Sequence, residues 1–168
     1  MLKKILAGFL LITFVVAGCT KSSNKCGYVN STVIAPLVET DSLQTLLAMD
    51  SITASVNAAG FYYKIDSVGS GTAISNLCTS VSVNYKGMLF NGPTFDSTYV
   101  NQLFSVQLGT VVTGWQLGLP LIRKGGVITL YIPPSLGFGI TPIVDNNNNV
   151  IIPASSYLIF KIHLVDVH

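Results

Sequence analysis

The chain has 168 residues, of which 49% are hydrophobic and only 10% charged. This length predicts one domain with a single hydrophobic core, and the high apolar content argues against a disordered or coiled-coil protein. The formal net charge is +2, but Lys3 and Lys4 lie in a segment that we expect to be removed, which leaves seven basic against seven acidic residues. A neutral chain without a basic cluster argues against nucleic acid as a partner, because phosphate contacts require lysine and arginine.

Residues 1–18 have the pattern of a secretory signal peptide. Two lysines precede an uncharged, mostly apolar run over residues 5–17. This run is shorter than the roughly 20 apolar residues that a membrane-spanning helix requires. The string Val16-Ala17-Gly18-Cys19 resembles the bacterial lipobox, in which cleavage leaves a lipid-bearing cysteine, here Cys19, at the new N-terminus. An ordinary signal peptide and an uncleaved anchor are the alternatives.

The other two cysteines fit an exported protein. A lipid on Cys19 would tether a water-soluble domain to the membrane, with residues 19–35 as the tether. Cys26 and Cys78 then remain as an even pair in an oxidising compartment, which predicts a disulfide. Two unpaired buried thiols are the alternative. No metal site is expected at these cysteines, because no histidine lies near either one in the sequence and two ligands do not complete a zinc site.

An N-terminal helical segment is predicted over residues 36–60. Three leucines between residues 43 and 47 fall at helical spacing, and Thr40 or Asp41 is expected to cap the N-terminus of the helix. We expect this helix to be short and amphipathic and to lie on a sheet formed by the residues that follow it.

From residue 61 onwards the pattern becomes that of β-strands and turns. Apolar and polar residues alternate, or cluster in short apolar runs, and predict strands over residues 61–68, 81–85, 103–108, 128–132 and 158–164. Residues 113–122 lack this alternation, and Trp115, Leu119 and Ile122 share one helical face, although Gly118 and Pro120 limit the length of that helix. The chain therefore predicts an α+β domain with a mostly antiparallel sheet and one short internal helix.

Little in the chain suits covalent catalysis. Neither His163 nor the terminal His168 has the sequence context of a catalytic triad. Gly69-Ser70-Gly71 lacks the lysine of a phosphate-binding loop. Asp145, followed by four asparagines, supplies a single carboxylate, which is weak support for calcium. We therefore expect neither a metal nor a cofactor.

Several short strings resemble, in order along the chain, those of FKBP-type peptidyl-prolyl cis-trans isomerases. The strings are VNYKGMLFNGPTFDS at 83–97, LG at 108–109, VVTGW at 111–115, GLPLI at 118–122, YIPP at 131–134, GFG at 137–139, IIP at 151–153 and LIF at 158–160. The likeness is clear from about residue 80 and extends back to residue 61, which places the isomerase domain at 61–168. Together with the lipobox, it resembles the exported FKBP lipoproteins of Gram-negative bacteria. The resemblance implies a twisted antiparallel sheet wrapped around the short helix.

The same resemblance implies an apolar substrate pocket in which Trp115 is the floor. The implied walls are Tyr85, Phe95, Val111, Ile152 and Phe160, and the implied rim is Phe104 and Ile151. The backbone N–H of Val112 would hold a substrate carbonyl, and Asp96 would be the one charged group of the site.

The implied function is isomerisation of prolyl bonds in proline-containing polypeptides, which assists the folding of exported proteins. Rotation about a prolyl bond breaks no covalent bond, so no nucleophile, metal or cofactor is required. We expect a monomer that faces the periplasm. The alternative is a peptide-binding or chaperone module with the same fold and weak or no isomerase activity. A small-ligand-binding lipoprotein is a more remote alternative.

Three departures from the family pattern bear on that choice. Phe138 stands where the family usually has tyrosine, so a hydroxyl donor is missing. The loop between Phe95 and Phe104 is slightly short and lacks the arginine that often faces the site's aspartate. The loop over residues 140–150 is longer than in the smallest members, and we expect it to overhang the pocket and to alter substrate choice.

Overall fold

The computed structural model of the chain describes residues 26–90, 92–99 and 102–168. The predicted signal peptide, the lipid-bearing Cys19 and the first part of the tether lie outside the described residues. So does Asn91, which belongs to the turn predicted after residue 90. Within the described ranges, no helix is long and apolar enough to cross a membrane.

Helix α1 spans Leu37–Met49 and lies on the sheet, as the leucine spacing predicted. Leu43 and Leu47, one helical turn apart, are fully or nearly fully buried and pack with Tyr131 in a cluster separate from the main core. The prediction of Thr40 or Asp41 as N-cap was wrong. The helix begins directly after Pro36, whose carbonyl already accepts the Thr40 N–H, and no side chain caps it.

Nine strands follow within the described residues, and every pairing between them is antiparallel. They are β1 (Ser55–Val56), β2 (Tyr62–Ser67), β3 (Ser80–Leu89), β4 (Thr94–Ser97), β5 (Phe104–Gln107), β6 (Val127–Ile132), β7 (Ile143–Val144), β8 (Val150–Ile152) and β9 (Leu158–Val167). Seven of them form one sheet in the order β1-β2-β6-β9-β3-β4, and β5 pairs with β3 on the same edge as β4. Strands β7 and β8 form a separate two-stranded hairpin. The predicted α+β architecture with a largely antiparallel sheet is confirmed.

Helix α2 spans Thr113–Gly118 and continues as a 3₁₀ turn over Leu119–Leu121. Pro120 accounts for the change, because proline has no N–H to donate to the next helical carbonyl. Gly114 and Gly118, one turn apart, face strand β6 at very close range. A Cβ atom on either glycine would approach a side chain of that strand, Ile132 or Leu130, to 2.5 Å. The two glycines let α2 approach the sheet closely, and this fixes the position of Trp115 between them.

The main core lies between α2 and the sheet. It contains aliphatic residues from β3, β6 and β9 together with Trp115 and Phe160. Because Trp115 and Phe160 belong to this core, the residues predicted for the site are also residues that hold the fold together.

A disulfide joins Cys26 to Cys78, with 5.5 Å between their Cα atoms and a sequence separation of 52. It ties the segment before α1 to the residues just before β3. For a loop of this length, the chain-entropy model gives about 4 kcal/mol of stabilisation. The segment over 36–60 also contributes strand β1, which pairs with β2. The N-terminal region is therefore part of the same sheet as the domain predicted over 61–168.

Candidate active site

A pocket of about 210 Å³ opens where β3, β4, β5 and β9 meet the start of α2. Its lining is mostly apolar and comes from seven separate parts of the chain. The lining residues are Tyr85, Phe95, Asp96, Phe104, Thr110, Val111, Val112, Trp115, Phe138 and Phe160. Such a cleft, apolar with a few polar groups, is the usual form of a binding site.

Aromatic rings in edge-to-face contact form the floor and one wall. The Trp115 ring centroid lies 5.2 Å from those of both Tyr85 and Phe160, with interplanar angles of 82° and 90°. Phe95 lies 5.5 Å from Phe160 at 84°, and Phe138 lies 6.4 Å from Phe95 at 82°. Each such pair adds about 0.5–1.5 kcal/mol beyond its buried area. Because every ring contacts at least one other, none can move without disturbing its neighbour.

The sheet register explains how these rings converge. Gly87 on β3 pairs with Phe160 on β9, and with Asp96 on β4. A Cβ on Gly87 would come within 2.9 Å of both the Phe95 and Phe160 rings. The absence of a side chain at this position lets the two rings meet over the strand, which any larger residue would prevent.

Asp96 and Tyr85 form the polar pair of the pocket. The Tyr85 hydroxyl donates a hydrogen bond to Oδ2 of Asp96. The residue directly after β4 holds this pair, because Thr98 Oγ1 accepts the Tyr85 N–H at 3.1 Å and the Thr98 N–H donates to the Tyr85 carbonyl at 3.1 Å. Burial raises the pKa of Tyr85 most, and the hydrogen bond to Asp96 and the negative charge of Asp96 raise it further, well above its usual value of 10. Tyr85 is therefore a neutral hydrogen-bond donor across the physiological pH range.

The opposite wall presents backbone groups. The Val112 N–H donates to no acceptor in the part of the chain that the structure describes, and Val112 lines the pocket at the start of α2. The Gln116 side chain holds this wall from behind, since its Nε2 donates to the carbonyls of Gly109 at 3.3 Å and Val111 at 2.8 Å. The buried indole N–H of Trp115 also lacks a partner among the described residues.

The structure brings most of the predicted site residues together, with two exceptions. Ile152 is buried in the main core on β8, and Ile151 beside it is 39% exposed, and neither lines the pocket. Thr110 lines the pocket although the sequence did not single it out. Its place between two strings of the family pattern is the only signal that points to it.

The β7–β8 hairpin follows Phe138. Four aliphatic side chains on it are more than a third exposed, namely Ile143, Val144, Val150 and Ile151, and so is Ile140 just before it. Asp145 closes its tip, because the carboxylate accepts the backbone N–H groups of Asn147 and Asn149 and the Asn149 side-chain amide, at 2.8–2.9 Å. These bonds, those from Asn149 first, lower the pKa of Asp145.

Comparison with known families and proteins gives a consistent result. Residues 71–165 match the family model described as FKBP-type peptidyl-prolyl cis-trans isomerase. The isomerase FkpA of Buchnera aphidicola subsp. Schizaphis graminum is 43% identical over 114 residues, which are 67% of this chain and 43% of that protein. FkpA of Escherichia coli K12 is 38% identical over 112 residues, 66% of this chain and 39% of that protein. The match therefore spans about two fifths of the length of these relatives.

Solved structures agree with the sequence comparison. The crystal structure of FkpA from Escherichia coli has a TM-score of 0.65 and 31% identity, and the match covers 78% of this chain and 60% of that one. AtFKBP13 has a TM-score of 0.60 and 30% identity over 69% of this chain and 99% of its own. The residues before 71 lie outside the family model.

Proposed function

The chain belongs to the FKBP-type peptidyl-prolyl cis-trans isomerase family, and we propose that it catalyses cis-trans isomerisation of prolyl bonds in exported polypeptides. The observation that carries this proposal is the pocket itself. A mostly apolar cleft over Trp115 combines one tyrosine–carboxylate pair with one backbone donor that has no acceptor among the described residues. The proline of an extended segment is the ligand that such a cleft suits.

The energetics of the reaction fit such a cleft. Rotation about an imide bond breaks amide resonance and meets a barrier of about 20 kcal/mol. The planar amide is more polar than the twisted one, because resonance separates charge between oxygen and nitrogen. A pocket that excludes water therefore disfavours the planar state more than the twisted state, and this difference lowers the barrier.

The polar groups of the site have separate roles in this mechanism. The Val112 N–H holds the carbonyl of a residue beside the proline, and the proline ring lies on the Trp115 indole. Asp96 does not act as a base, because no proton is transferred in the reaction. It orients Tyr85, whose hydroxyl stays protonated because of its raised pKa. Phe95 and Phe160 complete the apolar surface around the ring.

One feature supports a second candidate function, a peptide-binding or chaperone module that uses the same cleft. Phe138 lines the pocket at a position where a tyrosine would offer a hydroxyl to the substrate carbonyl. One neutral hydrogen bond contributes about 0.5–1.5 kcal/mol. Its loss lowers the rate but does not remove the apolar pocket, so isomerisation remains the better-supported function.

Exchange spectroscopy by NMR on a peptide with one X-Pro bond tests the proposal. The protein is expected to accelerate exchange catalytically, and Phe95→Ala to reduce that acceleration at least tenfold. Phe90→Ala is the matched control, because Phe90 is half-buried against the α1 cluster and outside the pocket. Peptide binding without accelerated exchange would favour the binding module. Equal rates for the two variants would remove Phe95 from the site.

We also propose that the mature protein begins at a lipid-modified Cys19, is attached to a bacterial membrane and faces the periplasm. The lipobox and the short apolar run before it support this proposal. Membrane fractions should contain the mature chain that begins at Cys19, and Cys19→Ala should abolish the lipid modification. Mass measurement of the membrane form should show a diacylglyceryl group on Cys19. An unmodified cysteine there would contradict the proposal.

A further inference from the structure

A segment outside the family match contacts the back of the pocket wall. Residues 26–30 precede α1 and lie well before residue 71, where the family match begins. The disulfide fixes one end of the segment at Cys78. From there the segment passes Gly109, and Asn30 lines a surface depression together with Leu108 and Gln116.

Tyr28 makes the central contact. The space that a Cβ atom on Gly109 would occupy is filled by Cγ, Cδ1 and Cδ2 of the Tyr28 ring. The ring therefore lies directly on the backbone of Gly109, and only glycine fits beneath it. This requirement comes from packing, because the backbone of Gly109 is not in the left-handed region.

Gly109 is one residue away from the lining of the pocket. The 3₁₀ turn over Leu108–Thr110 leads into Val111 and Val112, and Thr110, Val111 and Val112 all face the pocket. The turn is held from one side by hydrogen bonds to the region of the disulfide. Leu108 N–H donates to Thr79 O at 3.0 Å, and Gly109 N–H donates to Leu77 O at 2.7 Å.

The side chains on either side of the turn complete the arrangement. Gln107 Nε2 donates to the carbonyl of Cys78 itself at 3.0 Å. Gln116 Nε2 donates to the carbonyls of Gly109 and Val111 from the opposite side. Tyr28 lies over Gly109, the residue whose N–H donates to Leu77 and whose carbonyl accepts from Gln116. The position of Thr110–Val112 is thus determined by the Gln116 amide, by residues 77–79 and by the Tyr28 ring.

We propose that Tyr28, held by the Cys26–Cys78 disulfide, is a positioning residue for the Thr110–Val112 wall of the pocket. This inference rests on the proposed function for its kinetic test, but its binding test is independent of catalysis. Loss of the ring lets the turn shift away from the pocket and displaces the Val112 N–H from the substrate carbonyl. Because that N–H contacts substrate in the ground state and in the transition state, its displacement raises KM more than it lowers kcat.

The first experiment compares Tyr28→Ala, Tyr28→Phe and Val29→Ala in the full mature domain. Val29 is a neighbour on the same segment and is 87% exposed, so Val29→Ala is the matched control. Tyr28→Ala should raise KM about threefold to tenfold with kcat within about twofold of wild type. Tyr28→Phe, which keeps the ring, should behave like wild type.

Trp115 provides a readout that does not require turnover. It is the only tryptophan in the chain and lies at the floor of the pocket, so its fluorescence reports binding of a proline-containing peptide. Tyr28→Ala should weaken that binding by the same factor as KM. If wild type binds peptide but does not catalyse, the proposed function fails, while the effect of Tyr28→Ala on binding still decides the present inference.

A double-mutant cycle separates positioning from general stability. Gly109→Ala should impair binding strongly in the wild-type background, because its methyl group overlaps the Tyr28 ring. In the Tyr28→Ala background the methyl group has room, so adding Gly109→Ala should have much less effect. All variants are compared at a temperature where thermal unfolding shows them folded.

Three results would overturn the inference. The first is unchanged peptide binding and KM in Tyr28→Ala. The second is a loss that follows only the folded fraction of the variant. The third is a strictly additive cycle with Gly109→Ala. Reduction of the disulfide in wild-type protein should reproduce part of the Tyr28→Ala effect. The same reducing treatment should not change peptide binding by Cys26→Ser, which has no Cys26–Cys78 disulfide.

Discussion

The floor of the pocket and the β7–β8 hairpin are both apolar, but they differ in exposure. Trp115 and Phe160 are 3% and 4% exposed and belong to the main core. Val144 and Val150 of the hairpin are 45% and 57% exposed. The hairpin is held at its tip by a polar network around Asp145.

This difference predicts how each region tolerates change. At the floor, one side chain both fills the core and lines the pocket, so we expect stability and function to be lost together. On the hairpin, the exposed side chains contribute little to folding, and we expect them to contact the polypeptide beside a bound proline. The floor is expected to set whether catalysis occurs, and the hairpin to set which sequences are preferred.

The largest effect is expected for Trp115→Ala. Replacing a buried tryptophan by alanine costs about 3–5 kcal/mol, and the pocket also loses the surface on which the proline ring lies. Urea unfolding should show a loss of that size, and NMR exchange should show catalysis reduced by at least about a hundredfold per folded molecule.

Tyr131→Ala is the matched control for Trp115→Ala. Tyr131 is a buried aromatic residue in the second cluster, beneath α1, and does not line the pocket. It should lose comparable stability but keep its catalytic rate per folded molecule. If Tyr131→Ala lost catalysis to the same extent, the floor would have no role separate from the core.

The next largest effect is expected for Tyr85→Phe. This change removes the donor to Asp96 while keeping the ring contacts to Trp115 and Phe160. A hydrogen bond to a charged group contributes about 1.5–3 kcal/mol when it is shielded from solvent, and less where solvent reaches it, as it does here. We therefore expect kcat/KM to fall about threefold to tenfold. An unchanged kcat/KM would remove the pair from the mechanism.

The same variant tests the raised pKa of Tyr85. A group whose pKa is raised on folding stabilises the fold fully below its unfolded pKa, and this contribution is lost as the pH rises through the folded value. The Tyr85–Asp96 pair should therefore stay intact up to pH 10, the usual value. The absorbance titration of wild type minus that of Tyr85→Phe should show one tyrosine ionising above pH 10.

Sequence reasoning found the long strands and the pocket floor because both leave a periodic or ordered pattern. Strands β2, β3, β6 and β9 have six to ten residues, and Trp115 and Phe160 lie in strings of the family pattern. Strands β1, β7 and β8 have only two or three residues, which is too short for a period to be recognised.

Contacts that the chain makes across long separations were not predictable. The position of Ile152 in the core depends on where β8 places it. The ring of Tyr28 meets Gly109 because a disulfide holds the segment there. No local pattern marks Tyr28, and the family string that contains Gly109 does not indicate which residue covers it. The start of α1 was misplaced because Leu37 and Val38 are exposed and so do not follow the buried spacing of the leucines.

A smaller effect, in the opposite direction, is expected for Phe138→Tyr. Phe138 lines the pocket at the base of the hairpin, where the two regions meet. A hydroxyl that reaches the substrate carbonyl adds a neutral hydrogen bond of about 0.5–1.5 kcal/mol, so kcat/KM should rise about twofold to tenfold. NMR exchange with the same peptide measures it, and a rate that falls would mean that the hydroxyl is buried without an acceptor.

The smallest effect on stability is expected at the hairpin tip, for Asp145→Asn. The neutral side chain is a weaker acceptor for the Asn147 and Asn149 N–H groups, so their amide protons should exchange faster with solvent. Because the pKa of Asp145 is lowered in the folded state, wild type keeps this network fully at pH values above the ordinary carboxyl pKa. It loses the network only as the pH falls through the lower pKa of the folded state. Asn146→Ala, in the same loop, is the control.

The unfolding midpoint of Asp145→Asn should match that of wild type. Its preference for the residue before proline should change, because a loosened hairpin presents its exposed aliphatic side chains less uniformly. If the variant instead lost global stability as Trp115→Ala does, the hairpin would be part of the core, and the division between floor and hairpin would be wrong.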